Sequence, residues 1–145
     1  MSANRLFCSF YLDDLLFGLD VGRVQEIIRY QEMTRVPLAP PVVRGLINLR
    51  GQIVAAIDLR RLLGLGELPA GRLPMNVVLR TDDGLVSLLV DRVGDVLAPG
   101  EGAFEPPPET LGGVARDLIR GAYKLHDRLL LALDADKVAC LNPAA

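Results

Sequence analysis

Alternating apolar and polar positions along the chain predict short strands joined by tight turns. Near the start, apolar side chains recur at every second position, which is the spacing of a strand with one buried face. Three pairs of apolar runs are separated by short turns rich in Asp, and each pair is interpreted as a hairpin. These hairpins span residues 6–19, 76–90 and 119–133.

The spacing of apolar residues changes after Asp20. From Val21 to Ile28 they lie mostly three or four positions apart, so they would share one face of a helix. Asp20 is a suitable N-cap for that helix. We therefore predict a short helix over residues 20–29, which Gly22 weakens because glycine is a poor helix former.

The remaining segments complete an all-β pattern. About nine or ten short strands with frequent turns are typical of barrels and sandwiches. One barrel with so many strands would be wide, so we expect two small barrels that share one core line and are filled by side chains alone. The other expected elements are strands at 52–59 and 93–98, a helical turn at 60–63, loops at 64–74 and 99–113, and a closing turn with Asp134, Val138 and Leu141.

Composition excludes several classes of protein. The chain has 145 residues, 50% of them hydrophobic, which is enough apolar surface for one folded domain. Its net charge of -2 provides no field to attract the phosphates of a nucleic acid. No apolar run approaches the ~20 residues that cross a bilayer, and no signal peptide opens the chain. We expect a cytoplasmic protein without direct membrane insertion, in which Cys8 and Cys140 are small hydrophobic residues.

The residue types needed for catalysis are scarce. The single histidine, His126, lies in a predicted turn, where a surface position is expected rather than a general base. None of the three serines is placed as a nucleophile. The glycines between Gly64 and Gly71 lack the lysine of a phosphate-binding loop, and the paired aspartates occur in turns. We expect no enzyme, no catalytic residue, no metal site and no cofactor.

The stretch RGLINLRGQIVAAIDLR, residues 44–60, places charge inside an apolar region. Asn48 and Arg50 stand between apolar residues and are flanked by Gly45 and Gly51. The glycines and Asn48 indicate a structural turn. Arg50 is then either paired within the protein or exposed to bind a partner.

Five segments form a specific combination of sequence motifs, in this order and at this spacing: GLDVGRVQEIIR (18–29), TRVPLAPPVVRGLINLRGQIVAAIDLR (34–60), LLVDRVGDVL (88–97), EPPPE (105–109) and RGAYKLHDRLLLALDADKV (120–138). Together they resemble the CheW family over nearly the whole chain. The resemblance implies a single CheW-like domain, residues 1–145, made of two intertwined five-stranded SH3-like barrels about a pseudo-twofold axis. It also implies a non-enzymatic adaptor that links the cytoplasmic tip of chemoreceptors to the regulatory domain of a CheA-type histidine kinase, in membrane-associated arrays.

The resemblance further implies a receptor-binding groove. A receptor tip is a helical hairpin, so its groove needs apolar walls and a few charges, with Arg50 as the anchor. Alternatives remain open, since Arg50 can pair with Glu26 or Asp58 and Val21 or Val24 can pack in the core. The implied receptor-binding residues are Val21, Val24, Glu26, Arg50, Ser87, Val93 and Val96, and the structural turn has Gly45, Asn48 and Gly51.

Three positions depart from the family pattern. Ala55 and Ala56 stand where proline and an aliphatic residue are usual, and Ser87 stands where glycine is usual. The alanines would thin the packing of their strand, and Ser87 would narrow the groove. One alternative is therefore a divergent relative that binds receptors, or one partner only, and tunes array assembly without activating the kinase. Another is a small β-barrel ligand-binding protein or enzyme, which the scarcity of His, Ser and Lys disfavours.

Overall fold

The computed structural model describes residues 5–82, 84–99, 104–106 and 113–140. The strands are β1 (Phe7–Leu12), β2 (Leu15–Asp20), β3 (Val24–Ile28), β4 (Val43–Leu49), β5 (Gln52–Asp58), β6 (Met75–Thr81), β7 (Gly84–Val90), β8 (Arg92–Leu97), β9 (Phe104–Glu105), β10 (Ile119–Lys124) and β11 (Leu129–Leu133). The helices are α1 (Leu59–Leu62), α2 (Gly113–Leu118) and α3 (Ala135–Ala139), with a 3-10 turn at Val21–Arg23.

The strands form two sheets, and the chain leaves the first sheet and later returns to it. The first sheet has the order β8-β1-β2-β11-β10-β9, and the second has the order β3-β6-β7-β5-β4. Neighbouring strands are antiparallel, except that β2 runs parallel to β11 and β5 runs parallel to β7. The predicted all-β class and the three predicted hairpins, β1–β2, β6–β7 and β10–β11, are confirmed.

The other predicted elements occur close to their expected positions. β5 and β8 correspond to the strands expected at 52–59 and 93–98, and α1 corresponds to the helical turn. Asp134 caps α3, and its side chain accepts hydrogen bonds from two backbone amides of that helix. Leu141 and most of the loop expected at 99–113 lie outside the described residues, although the short strand β9 falls within that loop.

The helix predicted over residues 20–29 is wrong beyond its first turn. Only Val21–Arg23 is helical, as a single 3-10 turn. Asp20 does cap it, since its side chain accepts a hydrogen bond from the backbone nitrogen of Gly22 at 2.9 Å. The chain then becomes extended and pairs with β6.

A bulge in β3 explains why this strand has the apolar spacing of a helix. The register with β6 shifts between Val24 and Glu26, so one extra residue is inserted there. Val24 therefore pairs with Leu79 and Ile27 pairs with Val77, and both partners belong to the same buried cluster. Two residues three positions apart thus lie on one face of a strand.

A central apolar core lies between the two sheets. Phe10 and Phe17 of the first sheet stack with ring centroids 5.7 Å apart, and they share a cluster with Ile57 and Leu88 of the second sheet. Each sheet also has a smaller cluster of its own: Phe7, Leu16, Leu130 and Ala132 in the first sheet, and Ile47, Leu49, Val54 and Val78 in the second. The expected pair of small barrels is confirmed, with β9 as a sixth strand in the first.

Hydrogen bonds beyond the named strands bring the two ends of the second sheet together. Thr34, which follows β3, exchanges two backbone hydrogen bonds with Leu46 of β4, at 2.9 and 2.8 Å. Gly45 makes this approach possible, because a Cβ atom there would lie 2.7 Å from the Thr34 carbonyl oxygen. The absence of a side chain at position 45 therefore lets the second barrel close.

The two cysteines differ in their surroundings. Cys8 is buried, as its interpretation as a small hydrophobic residue suggests, whereas Cys140, which was given the same interpretation, is exposed. Burial raises the pKa of the Cys8 thiol, and the nearby Asp20 carboxylate raises it further.

Among the described helices, none has the length and apolar character needed to cross a membrane.

Candidate functional site

Arg50 lies in the two-residue turn between β4 and β5. Leu49 pairs with Gln52, and the two residues between them have positive φ angles, 53° for Arg50 and 90° for Gly51. Two positive φ angles in a two-residue hairpin loop define a type I′ turn, which usually contains Asn, Asp or Gly. Asn48 supports the turn, because its Oδ1 accepts a hydrogen bond from the Gly51 nitrogen at 2.8 Å. An arginine in this backbone conformation is strained.

The side chain of Arg50 forms an ion pair with Glu26. Nη2 of Arg50 donates a hydrogen bond to Oε2 of Glu26, which connects the β4–β5 turn to β3 at the opposite end of the strand order. The pairing of Arg50 with Asp58, also considered from the sequence, does not occur. Asp58 instead accepts a hydrogen bond from Arg44 at 3.1 Å and caps α1.

The ion pair leaves much of the Arg50 guanidinium accessible. The Arg50 side chain is 68% exposed, whereas that of Glu26 is 23% exposed. A guanidinium has five N–H donors in a planar arrangement, and Glu26 is the one hydrogen-bond partner of Arg50 among the described residues. Donors therefore remain available to a partner while Glu26 holds the side chain in place.

The valines on the amino-terminal side of the site are only partly buried. Val21, in the 3-10 turn, is 38% exposed. Val24, at the start of β3, is half-buried and packs against the central core. Core packing, the alternative considered from the sequence, therefore describes Val24 and not Val21.

Val93 and Val96 lie on β8, at the edge of the first sheet. Val93 is half-buried and packs against the central core, and Val96 is 55% exposed. Because Val24 and Val93 border the same core from different sheets, both lie where the two barrels meet. Of the predicted residues, the structure thus brings Val24 and Val93 to one core from different sheets, and it brings Arg50 and Glu26 together in an ion pair.

Leu6 is a further exposed apolar residue near the 3-10 turn. The alternation of apolar residues at the start of the chain assigned it to the buried face of the first strand. It is 42% exposed, and its carbonyl oxygen accepts a hydrogen bond from the Val21 nitrogen at 3.0 Å. The next residue, Phe7, pairs with Leu97 of β8. Leu6 therefore lies between the 3-10 turn and the end of β8. No local sequence signal marked it, because the pairing of Phe7 with Leu97 joins residues that are distant in the chain.

Ser87 does not belong to this surface. Its side chain is fully buried in the second barrel, where its hydroxyl donates a hydrogen bond to Asn76 Oδ1 at 2.7 Å. The Asn76 amide in turn donates to the Arg29 carbonyl oxygen at 3.2 Å. The expectation that Ser87 contacts a receptor or narrows its groove is therefore wrong. Ala55 and Ala56 are buried as well, so the three departures act through packing and hydrogen bonding.

Metal chemistry finds no support in the part of the chain that the structure describes. Within those ranges, no group of three His, Cys, Asp or Glu side chains is placed to hold a metal ion. The described residues offer instead a partly exposed cation, Arg50, and several partly exposed apolar side chains, a combination that suits the binding of another macromolecule.

The chain is similar to known proteins over most of its length. The family model described as the CheW-like domain matches residues 6–140. The chemotaxis protein CheW of Klebsiella aerogenes is 33% identical, covering 94% of this chain and 82% of that protein. Its counterpart in Treponema pallidum is 30% identical, covering 90% and 79%. The crystal structure of the scaffolding protein TtCheW from Thermoanaerobacter tengcongensis has a TM-score of 0.81 and 27% identity, covering 92% of this chain and 90% of that one.

Proposed function

The chain belongs to the CheW-like domain family and is a non-enzymatic chemotaxis adaptor, and we propose that it couples the cytoplasmic tip of a chemoreceptor to the regulatory domain of a CheA-type histidine kinase. Residues 1–145 act in this proposal as one cytoplasmic unit, recruited to receptor arrays at the membrane. The receptor tip binds at the junction of the two barrels. The kinase regulatory domain binds at the barrel ends.

The conformation of Arg50 is the observation that carries this proposal. A non-glycine residue with a left-handed backbone costs on the order of 1 kcal/mol or more, and Asn or Gly would fit the turn at lower cost. The arginine side chain is 68% exposed, so burial does not compensate for that strain. Retention of strain at an exposed charged residue supports a role in binding.

The apolar side chains around the junction match a helical partner. Leu6, Val21 and Val96 are all more than one third exposed, at 42%, 38% and 55%. A helical hairpin presents an apolar face with flanking charges, and such a face docks on an apolar groove whose charges set its register. Arg50 would bind a carboxylate or a carbonyl group of the receptor tip, and the apolar side chains would exclude water around that contact.

Binding of a receptor cytoplasmic fragment tests the assignment. Arg50→Glu should weaken binding by roughly 2 kcal/mol or more, about 30-fold in Kd, which is typical of an arginine at the centre of an interface. Arg72→Glu is the matched control, since Arg72 is exposed in the segment between α1 and β6 and is not among the proposed receptor-binding residues. Equal binding by wild type and Arg50→Glu would reject the junction as the receptor site.

Kinase coupling needs a separate measurement. In a mixture of receptor, kinase and this protein, kinase activity should rise only when all three are present. Activation without the receptor, or no activation with it, would contradict the proposed coupling.

A further inference from the structure

A single residue connects the two barrels at the point where the chain returns to the first sheet. β7 of the second sheet ends at Val90, and β8 of the first sheet begins at Arg92. Asp91 alone lies between them. Because Val93 and Val96 follow on β8, the conformation and the contacts of Asp91 determine where these side chains lie relative to the second barrel.

Asp91 is held by groups from both barrels. Its side chain is only 5% exposed. Its Oδ2 accepts a hydrogen bond from the backbone nitrogen of Asp13, in the β1–β2 turn, at 2.7 Å. The same oxygen accepts a hydrogen bond from Nη1 of Arg60, in α1, at 2.5 Å. The backbone nitrogen of Asp91 donates to the Tyr11 carbonyl oxygen at 3.0 Å.

Arg60 completes a charge cluster with these two aspartates, in which Arg60 and Asp91 are buried and the Asp13 side chain is 53% exposed. Its Nη1 also donates to Oδ1 of Asp13 at 2.8 Å, and its Nε donates to the Gly66 carbonyl oxygen at 2.5 Å. Burial lowers the pKa of the Arg60 guanidinium, but its hydrogen bonds to Asp13 and Asp91 outweigh burial and raise that pKa. Among the described residues, Oδ1 of Asp91 is buried without a hydrogen-bond donor. Arg60 is therefore the charge that compensates the buried carboxylate of Asp91.

The apolar core between the barrels does not by itself fix their relative orientation. Aliphatic contacts are non-directional, and a core of this type tolerates rearranged packing of similar volume. Hydrogen bonds between charged groups are directional, and a buried ion pair often adds little net stability compared with apolar side chains of similar size. The cluster joins α1 of the second barrel to the β1–β2 turn of the first, so it restricts rotation of one barrel against the other.

We propose that Arg60 is a positioning residue for receptor binding: with Asp91 and Asp13 it sets the orientation of β8 relative to the second barrel. Val93 on β8 borders the same central core as Val24 on β3, so this orientation determines how the two barrels present their exposed residues to one partner. The effect on receptor binding rests on the proposed function, whereas the orientation of the barrels does not.

The test replaces the buried ions with apolar side chains of similar size, in Arg60→Met/Asp91→Leu. Replacing a buried ion pair in this way often preserves stability, so a folded protein is expected. Arg61→Met is the matched control, because Arg61 lies next to Arg60 in α1 and its Nη1 donates to the Pro41 carbonyl oxygen outside the cluster. Residual dipolar couplings of backbone amides then report the relative orientation of the two sheets in each variant.

We expect the couplings of the double variant to require a different or an averaged orientation of the two sheets, and those of the Arg61 control to match wild type. Affinity for the receptor fragment should fall about tenfold in the double variant, a size typical of substitutions outside a binding site that change its coupling.

If the double variant does not fold, Arg60→Lys is the second variant. It keeps the charge but loses the planar fork of the guanidinium, and a smaller change in orientation is expected. Wild-type couplings in the folded replacement would overturn the proposal. Lack of receptor binding by wild type would overturn the proposed function. The measured orientation of the two sheets would then test the role of Arg60 by itself.

Discussion

The substitution Arg50→Asn separates the binding role of Arg50 from any role in stability. It creates Asn-Gly, the preferred pair for a type I′ turn, at a position where the φ angle of Arg50 is 53°. It also removes the ion pair with Glu26. The perturbation therefore improves the turn and removes the exposed guanidinium in one step.

The two effects on stability nearly cancel. Relief of left-handed strain contributes on the order of 1 kcal/mol of stabilisation. Loss of the ion pair costs roughly 0.2 to 1 kcal/mol, because the Arg50 side chain is 68% exposed and solvent screens the interaction. We expect the free energy of unfolding of Arg50→Asn to lie within about 1 kcal/mol of the wild-type value.

Receptor binding should respond much more strongly. Loss of an anchoring arginine costs roughly 2 kcal/mol or more, which is about 30-fold in Kd. Urea unfolding measures the free energy of unfolding, and calorimetric titration with a receptor cytoplasmic fragment measures Kd. Glu26→Gln is the complementary variant. It removes the ion pair but keeps Arg50, which is then free to contact the receptor.

Two results would refute this reasoning. A loss of more than about 2 kcal/mol in unfolding free energy, beyond what an exposed pair gives, would mean that Arg50 is held for the structure of the barrel. An unchanged Kd together with unchanged stability would mean that the strain at position 50 has no role in receptor binding. Preserved stability with weakened binding is the expected combination.

Three further predictions follow from buried or crowded groups. Ser87→Ala should lower the unfolding free energy by about 1–3 kcal/mol, because the buried Asn76 Oδ1 loses its hydrogen-bond donor. Receptor affinity should stay at the wild-type value, and a weakened affinity at full stability would return Ser87 to the binding surface. Gly45→Ala should cost roughly 1–3 kcal/mol in thermal unfolding, since its Cβ would lie 2.7 Å from a backbone oxygen, and a loss near zero would disprove the close approach. Alkylation near neutral pH should modify Cys140 well before Cys8, because burial raises the Cys8 pKa and lowers its thiolate fraction; equal rates by mass spectrometry would contradict this.

The features that could be predicted from the sequence are local ones. A hairpin such as β1–β2 places its two strands and its turn, Asp13–Asp14, within a dozen or so neighbouring residues. The caps at Asp20 and Asp134 likewise bond backbone amides two or three positions away. Such contacts form between residues that are close in the chain, so a pattern of residue types is sufficient to identify them.

The error at residues 24–28 shows where pattern alone fails. Apolar residues three positions apart fit a helix and also fit a bulged strand, and pairing with β6 decided between them. The same limitation applied to Ser87, because the alternation along β7 cannot show that both faces of that strand are covered. Both outcomes depend on elements that are distant in the sequence.

The sequence by itself determined most of the strand pattern, the hairpin turns and the place of Arg50 in a tight turn. Only the tertiary structure decided which of two carboxylates pairs with Arg50, and that Asp13, Arg60 and Asp91 meet in one charge cluster between the two barrels. The physical reason is that an ion pair or a buried hydrogen bond depends on distance in space. Residues 31 and 47 positions apart in the cluster come into contact only when the two sheets pack against each other.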